Sequence, residues 1–284
     1  MGNGERGTKR LFSVSRYPRC VSRLFGEKRM KAGIFITGTD TDVGKTVVSA
    51  GLALVLRARG IRVGVMKPVA TGCYGVDERL ISQDAAFLME AGENEYPPLS
   101  CPERFRNPLS PNVAAMLEKR EVNIPGILKS YHELQKHYDF MIIEGIGGLM
   151  VPLKKDYYVA NLIRDMGLPI VIVSYAGLGS INHTLLTVDA AMIRGLDVRG
   201  IIFNRVSVTN YSLAELTNPK VIHDLSGVPI LGSLPDIEGL NMDNCQFGKL
   251  KDLFQERIQI EKILGANTYP SEQRGDWGRP SHPS

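Results

Sequence analysis

Three adjacent residues, Gly44-Lys45-Thr46, combine a flexible backbone, a long cation and a hydroxyl. They follow the apolar run Gly33–Thr37 and open a helical pattern, Lys45–Arg59. The N–H groups and dipole at a helix start favour an anion. Lys45 is placed to reach the β and γ phosphates of a nucleotide, and the Thr46 hydroxyl to bind Mg²⁺. In the usual motif four residues stand between the first glycine and Gly-Lys-Thr. In "TGTDTDVGKT" five residues separate Gly38 from Gly44. The bland alternative is a glycine turn before a surface helix.

A magnesium site also needs acidic oxygen ligands beside the phosphates. Glu144 ends the run "FMIIEG", and Asp84 lies in "SQDA". Asp84 reads equally well as a first-turn helix acid. Lys67 closes a further apolar run, and Pro68 after it keeps the chain extended. An isolated lysine there would snorkel to the surface. Beside a phosphate loop it offers a fixed cation, which phosphoryl transfer uses for charge stabilisation.

These residues need a frame that brings them together. Apolar runs at Gly33–Thr37, Arg62–Lys67, Phe140–Glu144, Ile170–Ser174, Gly200–Asn204 and Ile230–Leu234 predict strands. Runs such as Met141-Ile142-Ile143 do not alternate with polar residues, which marks strands buried on both faces of a parallel sheet. Helical patterns cover Lys45–Arg59, Ser82–Ala91, Pro125–His137, Val159–Met166, Asn182–Arg194, Ser212–Leu225 and Phe247–Leu264. The alternation predicts an α/β fold: one doubly wound, mostly parallel sheet with helices on both faces. Ligands of such sheets sit beyond the carboxyl ends of the strands, where Lys67, Glu144 and Asn204 fall.

The formal charge of +4 misleads, because residues 1–29 carry eight Lys/Arg against two acids and the remainder is slightly acidic. A nucleic-acid partner would want a basic patch inside the folded part, and none is evident. No apolar run approaches the ~18 residues of a membrane span. Cys20, Cys73, Cys101 and Cys245 are scattered without metal or disulfide spacing, as in a reducing, cytoplasmic setting. Residues 1–29 read as an extension, disordered or not native, and 266–284 as a disordered tail. The expected domain is 30–265.

"GTDTDVGKT", "KPVATG", "EGIGGLMVPL" and "LGSINHTLLT", in this order and at these separations, closely resemble the dethiobiotin synthetase family, a branch of the P-loop NTPase fold. The resemblance runs from about Met30 to Leu264, and the five-residue spacing is a family trait. It implies a homodimeric, cytoplasmic cyclo-ligase of biotin biosynthesis. The reaction joins CO₂ to 7,8-diaminopelargonic acid with ATP and Mg²⁺, through a carbamate and a carbamic–phosphoric anhydride. Carried over, Asp42, Val43, Gly44, Lys45, Thr46 and Val47 line the phosphates. Lys45 and Lys67 are the catalytic cations, and Thr46, Asp84 and Glu144 the magnesium set. Gly145, Ile146 and Gly147 border nucleotide and substrate, with Thr71 and Gly148 on the substrate side. Asn204 reads adenine, with Arg205, Pro235, Asp236 and Ile237 around the base. Gly179, Ser180, Ile181 and Asn182 open a helix that receives the substrate carboxylate from the neighbouring subunit.

Two departures stand on the base side. Arg205 replaces a commonly acidic residue, and "LPDIEGLNMD" differs from the family's local pattern. Both bear on base preference more than on the reaction. Two rival readings share related folds. The amidation enzymes of cobyrinic acid synthesis carry a glutaminase cysteine, and none here sits in a nucleophile turn. ParA-like switch ATPases carry a second lysine inside the loop, where this chain has Asp40 and Asp42.

Overall fold

The computed structural model describes residues 33–75, 80–207, 209 and 212–265. The expected extension 1–29 and the tail 266–284 lie outside the described residues. Six strands form one sheet: β1 (Gly33–Gly38), β2 (Val63–Met66), β3 (Phe140–Gly148), β4 (Ile170–Tyr175), β5 (Val198–Asn204) and β6 (Ile230–Ser233). Their order is β6-β5-β4-β1-β3-β2, and every pairing is parallel. The chain runs from β1 to one side and returns to the other, so β1 marks the switch point where such sheets bind ligands.

Each central strand is buried on both faces. In β1, Ile34 and Ile36 enter one apolar layer and Phe35 the opposite one. Burying each such side chain contributes about 1.5–3 kcal/mol, which favours apolar residues at every position of the strand. Helix α1 (Lys45–Ala58) covers the first layer through Val48, Leu52, Val55 and Leu56. Helix α2 (Gln83–Gly92) packs beside α1, and α3 (Ile124–Leu134) lays Ile127, Tyr131 and Leu134 on the opposite face. Helices α4 (Val159–Met166), α5 (Ser180–Ile193), α6 (Leu213–Ser226), α7 (Leu250–Arg257) and α8 (Ile260–Leu264) complete the two layers.

Two elements differ from the sequence reading. The pattern over Phe247–Leu264 is two helices, because Ile258 is extended and the Gln259 N–H leaves the helix to donate to the Leu231 carbonyl of β6 at 2.8 Å. Strand β3 continues past Glu144 to Gly148. Glu144 pairs with Ile36 and Gly148 with Gly38, so three residues bulge opposite Thr37. A bulge bends the strand, and here it carries Gly147, at φ 57°, and Gly148 up to the loop after β1. Short helical turns at Pro97–Ser100 and Pro111–Leu117 were not legible as periodic runs.

Candidate active site

The loop after β1 is shaped by Gly44, which has φ 93° and caps α1 without a side-chain hydrogen bond. A side chain there would be strained and would run into the Asn204 amide. That amide, at the end of β5, donates to the Val43 carbonyl at 3.1 Å and is buried. Helices α2, α3 and α6 close their first turns with Ser82, Asn123 and Ser212. Helices α1 and α5 are both led instead by a left-handed glycine, Gly44 or Gly179. Their first N–H groups therefore have no side-chain cap.

Lys45 is buried, and its ammonium donates to the Asp40 carbonyl at 2.8 Å, within the loop it follows. Burial and the Lys67 charge lower its pKa to about 8, against partial opposition from Glu144, Asp84 and Asp42. Thr46 Oγ1 donates to Glu144 Oε1 at 2.9 Å. Lys67 Nζ donates to the same Glu144 oxygen and, at 3.0 Å, to Asp84 Oδ2. Helix α1 thus supplies Lys45 and Thr46, the end of β2 Lys67, the first turn of α2 Asp84, and β3 Glu144.

Lys67 and Glu144 are essentially closed to solvent, whereas the Asp84 side chain is 42% exposed. Burial works against the Lys67 charge, but Glu144 and Asp84 outweigh it and hold its pKa above the usual lysine value. Burial pushes the Glu144 carboxyl up, with Lys67 drawing it partly back. Burial opposes the Asp84 carboxylate too, yet Lys67, Lys45 and Thr46 hold its pKa below the usual range. Removing one partner of such a buried pair leaves an uncompensated charge, at a cost of about 3–5 kcal/mol. The cluster is consequently pre-organised, with Lys67 kept cationic between its two carboxylates.

Glu144 Oε2 is buried and has no hydrogen-bond partner among the described residues. An orphaned acceptor of this kind calls for a further donor or a cation. Among the described residues no group of three or more His, Cys, Asp or Glu stands together as a metal cage. Mg²⁺ does not need one, since it is commonly held by one or two carboxylates with substrate phosphates and water. Thr46, Asp84 and Glu144 supply hard oxygen donors of that type, so these residues fit the ion.

The remaining sequence-predicted residues fall in separate groups. Asp42, at φ 57°, is exposed; Val43 is buried, and Val47 packs half-buried on the apolar layer. A Cβ at Gly148 would stand 3.4 Å from the Gly38 carbonyl oxygen, and one at Gly145 would press on the Phe35 ring at 2.9 Å. Ile146, between the bulge glycines, is half-buried. Thr71 follows Ala70, whose carbonyl accepts from Phe105 at 2.9 Å. Gly179, Ser180, Ile181 and Asn182 form the cap and first turn of α5. Arg205, at φ 55°, and Asp236 are exposed at the ends of β5 and β6, with Pro235 buried and Ile237 half-buried beside them. Among the described residues no hydrogen bond joins Arg205 or Asp236 to the lysine cluster. Sequence reasoning missed Ser174, Thr184 and Asn218, three buried polar residues that anchor α5. Each sits in an ordinary strand or helix pattern, and only the partners reveal it.

A family model described as an AAA domain matches residues 32–244. The ATP-dependent dethiobiotin synthetase of Thermodesulfovibrio yellowstonii is 45% identical over 243 residues, covering 83% of this chain and 99% of that protein. The protein of the same name from Nitrosopumilus maritimus is 37% identical over 232 residues, covering 81% and 98%. Among solved structures, the septum site-determining protein MinD of Pyrococcus horikoshii, complexed with Mg-ADP, has a TM-score of 0.50 and 18% identity. The match covers 84% of this chain and 97% of that one, and at this identity it is a likeness of fold.

Proposed function

Because the chain belongs to the ATP-dependent dethiobiotin synthetase family, we propose that it makes dethiobiotin from 7,8-diaminopelargonic acid, CO₂ and ATP. The observation that carries this reading is the linked set Thr46, Lys67, Asp84 and Glu144, beside the loop in which the Lys45 ammonium donates to the Asp40 carbonyl. The rival switch-ATPase reading expects the second lysine inside the loop, where this chain has Asp40 and Asp42, and the extra lysine here is Lys67.

One substrate amine takes up CO₂ as a carbamate. A carbamate oxygen attacks the γ-phosphorus and ADP leaves, giving a carbamic–phosphoric anhydride. The second amine attacks the carbonyl, the urea ring closes, and phosphate departs. Carbamate alone is a poor acyl donor, and phosphorylation supplies the leaving group. Bringing carbamate beside γ-phosphate juxtaposes negative charges, which Lys45 and Lys67 offset in a water-poor setting. Loop N–H groups from Asp42 to Val47 hold the phosphates. Thr46, Asp84 and Glu144 would hold Mg²⁺, which when bound supplies further neutralisation of the phosphate oxygens. Gly145, Ile146, Gly147, Gly148 and Thr71 border the substrate, and Asn204, Arg205, Pro235, Asp236 and Ile237 the base.

The working unit in this reading is residues 30–265, acting in the cytoplasm as a homodimer. Among the described residues no helix is long and apolar enough to cross a membrane. Leu186 and Ile193 on α5 and Leu213, Leu216 and Leu225 on α6 are all more than half exposed. Exposed apolar side chains grouped on neighbouring helices suit a second copy, and the α5 start would then receive the partner site's carboxylate. The chemistry is tested with ¹⁸O-labelled CO₂ under rapid quench. Phosphate should gain one label from CO₂, because the carbamate oxygen stays on phosphorus when the ring closes. Unlabelled phosphate from labelled CO₂ would rule out the anhydride.

A further inference from the structure

Thr39 in the phosphate loop, Ser174 at the end of β4 and Thr184 in α5 bring three hydroxyls together, and none has a role in the reaction described above. Ser174 and Thr184 are completely buried, where an unpaired hydroxyl is costly. Ser174 Oγ donates to the Tyr175 carbonyl at 3.2 Å and stands 2.8 Å from Thr184 Oγ1. Thr39 Oγ1 donates to Ser174 Oγ at 3.4 Å. That contact is long, but the Thr39 N–H also donates to the Val173 carbonyl at 3.0 Å, so the residue is tied to the same strand end through its backbone.

A serine hydroxyl has one hydrogen and two lone pairs. With its hydrogen on Tyr175, Ser174 is satisfied when both threonines donate to it. On the other side of the α5 start, the buried Asn218 amide of α6 donates to the Ala176 and Gly177 carbonyls, at 3.1 and 3.0 Å, and to Ser180 Oγ at 3.0 Å. The start of α5 is therefore tied to α6 through Ser180 in its first turn and to β4 through Thr184 one turn further on. The end of β4 that Thr184 contacts is the one to which Thr39, after β1, is hydrogen-bonded.

We propose that Ser174 is a positioning residue, coupling occupancy of the phosphate loop, through Thr39 and Thr184, to the anion-binding start of α5. The proposal rests on the functional reading above, in which that start serves the neighbouring subunit. The linkage then runs from the nucleotide in one site of the dimer to the diamine in the other. Ordering the shared relay for one ligand lowers the cost of ordering it for the second, so binding is mutually favourable and reciprocal.

The test uses the full chain. Binding of the β,γ-imido analogue of ATP with Mg²⁺ is measured by calorimetry, with and without diaminopelargonate. In the unaltered protein the diamine tightens analogue binding about fivefold, the size of one net hydrogen bond. Thr184→Val, of equal shape, brings that ratio below about twofold, as does Ser174→Ala, while Thr184→Ser retains it. A merely structural hydroxyl would lower the melting temperature and leave the ratio unchanged. A ratio of one in the unaltered protein, or the same ratio in Thr184→Val, overturns the proposal. Product mass is recorded in parallel: a protein that forms no dethiobiotin overturns the functional reading, whereas one that forms it without coupling overturns the relay alone.

Discussion

The carboxyl ends of β1–β3 and those of β5–β6 are built on different terms. At the first, Lys67 and Glu144 are closed to solvent, and Lys67 is ion-paired with both Glu144 and Asp84. At the second, Arg205 and Asp236 are exposed, with Asn204 the buried polar anchor. Charges fixed in a low-dielectric setting need no reorganisation when further charge develops. Charges in water are screened and contribute little. The proposed reacting end therefore depends on each of its members, while the proposed base side tolerates exchange. The two departures from the family pattern, Arg205 and the segment after Pro235, fall in the tolerant region.

The largest effect expected from breaking this contrast is at Lys67. Lys67→Gln should lower the turnover number on the order of a thousandfold, measured as phosphate release with diamine and bicarbonate present. The fold should survive at reduced stability, because Glu144, whose carboxyl burial pushes up, can take up a proton and so offset part of the cost of the broken ion pair. Near-normal turnover would remove Lys67 from the mechanism.

A smaller effect comes from pH at Lys45. Its pKa in the free protein is lowered to about 8, and only its protonated form offsets phosphate charge. Thus kcat/KM for ATP should be level below pH 8 and fall as pH rises through that value, approaching tenfold per unit. Bound phosphates favour the ammonium, so kcat itself should hold to higher pH. Lys45→Arg should remove the alkaline fall, since arginine stays charged. An alkaline limb unchanged in Lys45→Arg would assign the titration elsewhere.

The smallest effect is expected on the base side. Arg205→Ala should change kcat with ATP less than about twofold, as for other exposed charges. The ratio of kcat/KM for ATP to that for GTP is the sensitive readout. A large loss of turnover in this variant would mean that the two regions are not separable in the way described.

Much of this was legible in the sequence, and the reasons are local. Gly44-Lys45-Thr46 announces itself because a strand, a turn and a helix must meet there. The six sheet strands are visible because burial on both faces demands unbroken apolar runs, as in Ile170–Val173. The split at Ile258 was not legible, since its cause is the Leu231 carbonyl, distant in sequence. The bulge after Glu144 was hidden for the same reason: its register is set by β1. The types of Asp84 and Glu144 suggested magnesium ligands and that of Lys67 a separate cation, but the sharing of the Lys67 ammonium by both carboxylates, and of Glu144 Oε1 by Lys67 and Thr46, is a property of the folded chain. Asn218 and Ser174 gave no signal, because a single polar residue in a helix or strand pattern is usually a solvated one.

The central claim is the proposal that this protein uses ATP to make dethiobiotin from the diamine. It is tested most directly by measuring phosphate released from MgATP with bicarbonate, in the presence and absence of diaminopelargonate, with the product identified by mass. Phosphate and dethiobiotin should appear in equal amounts and only when the diamine is supplied. ATP turnover at the same rate without the diamine would contradict it.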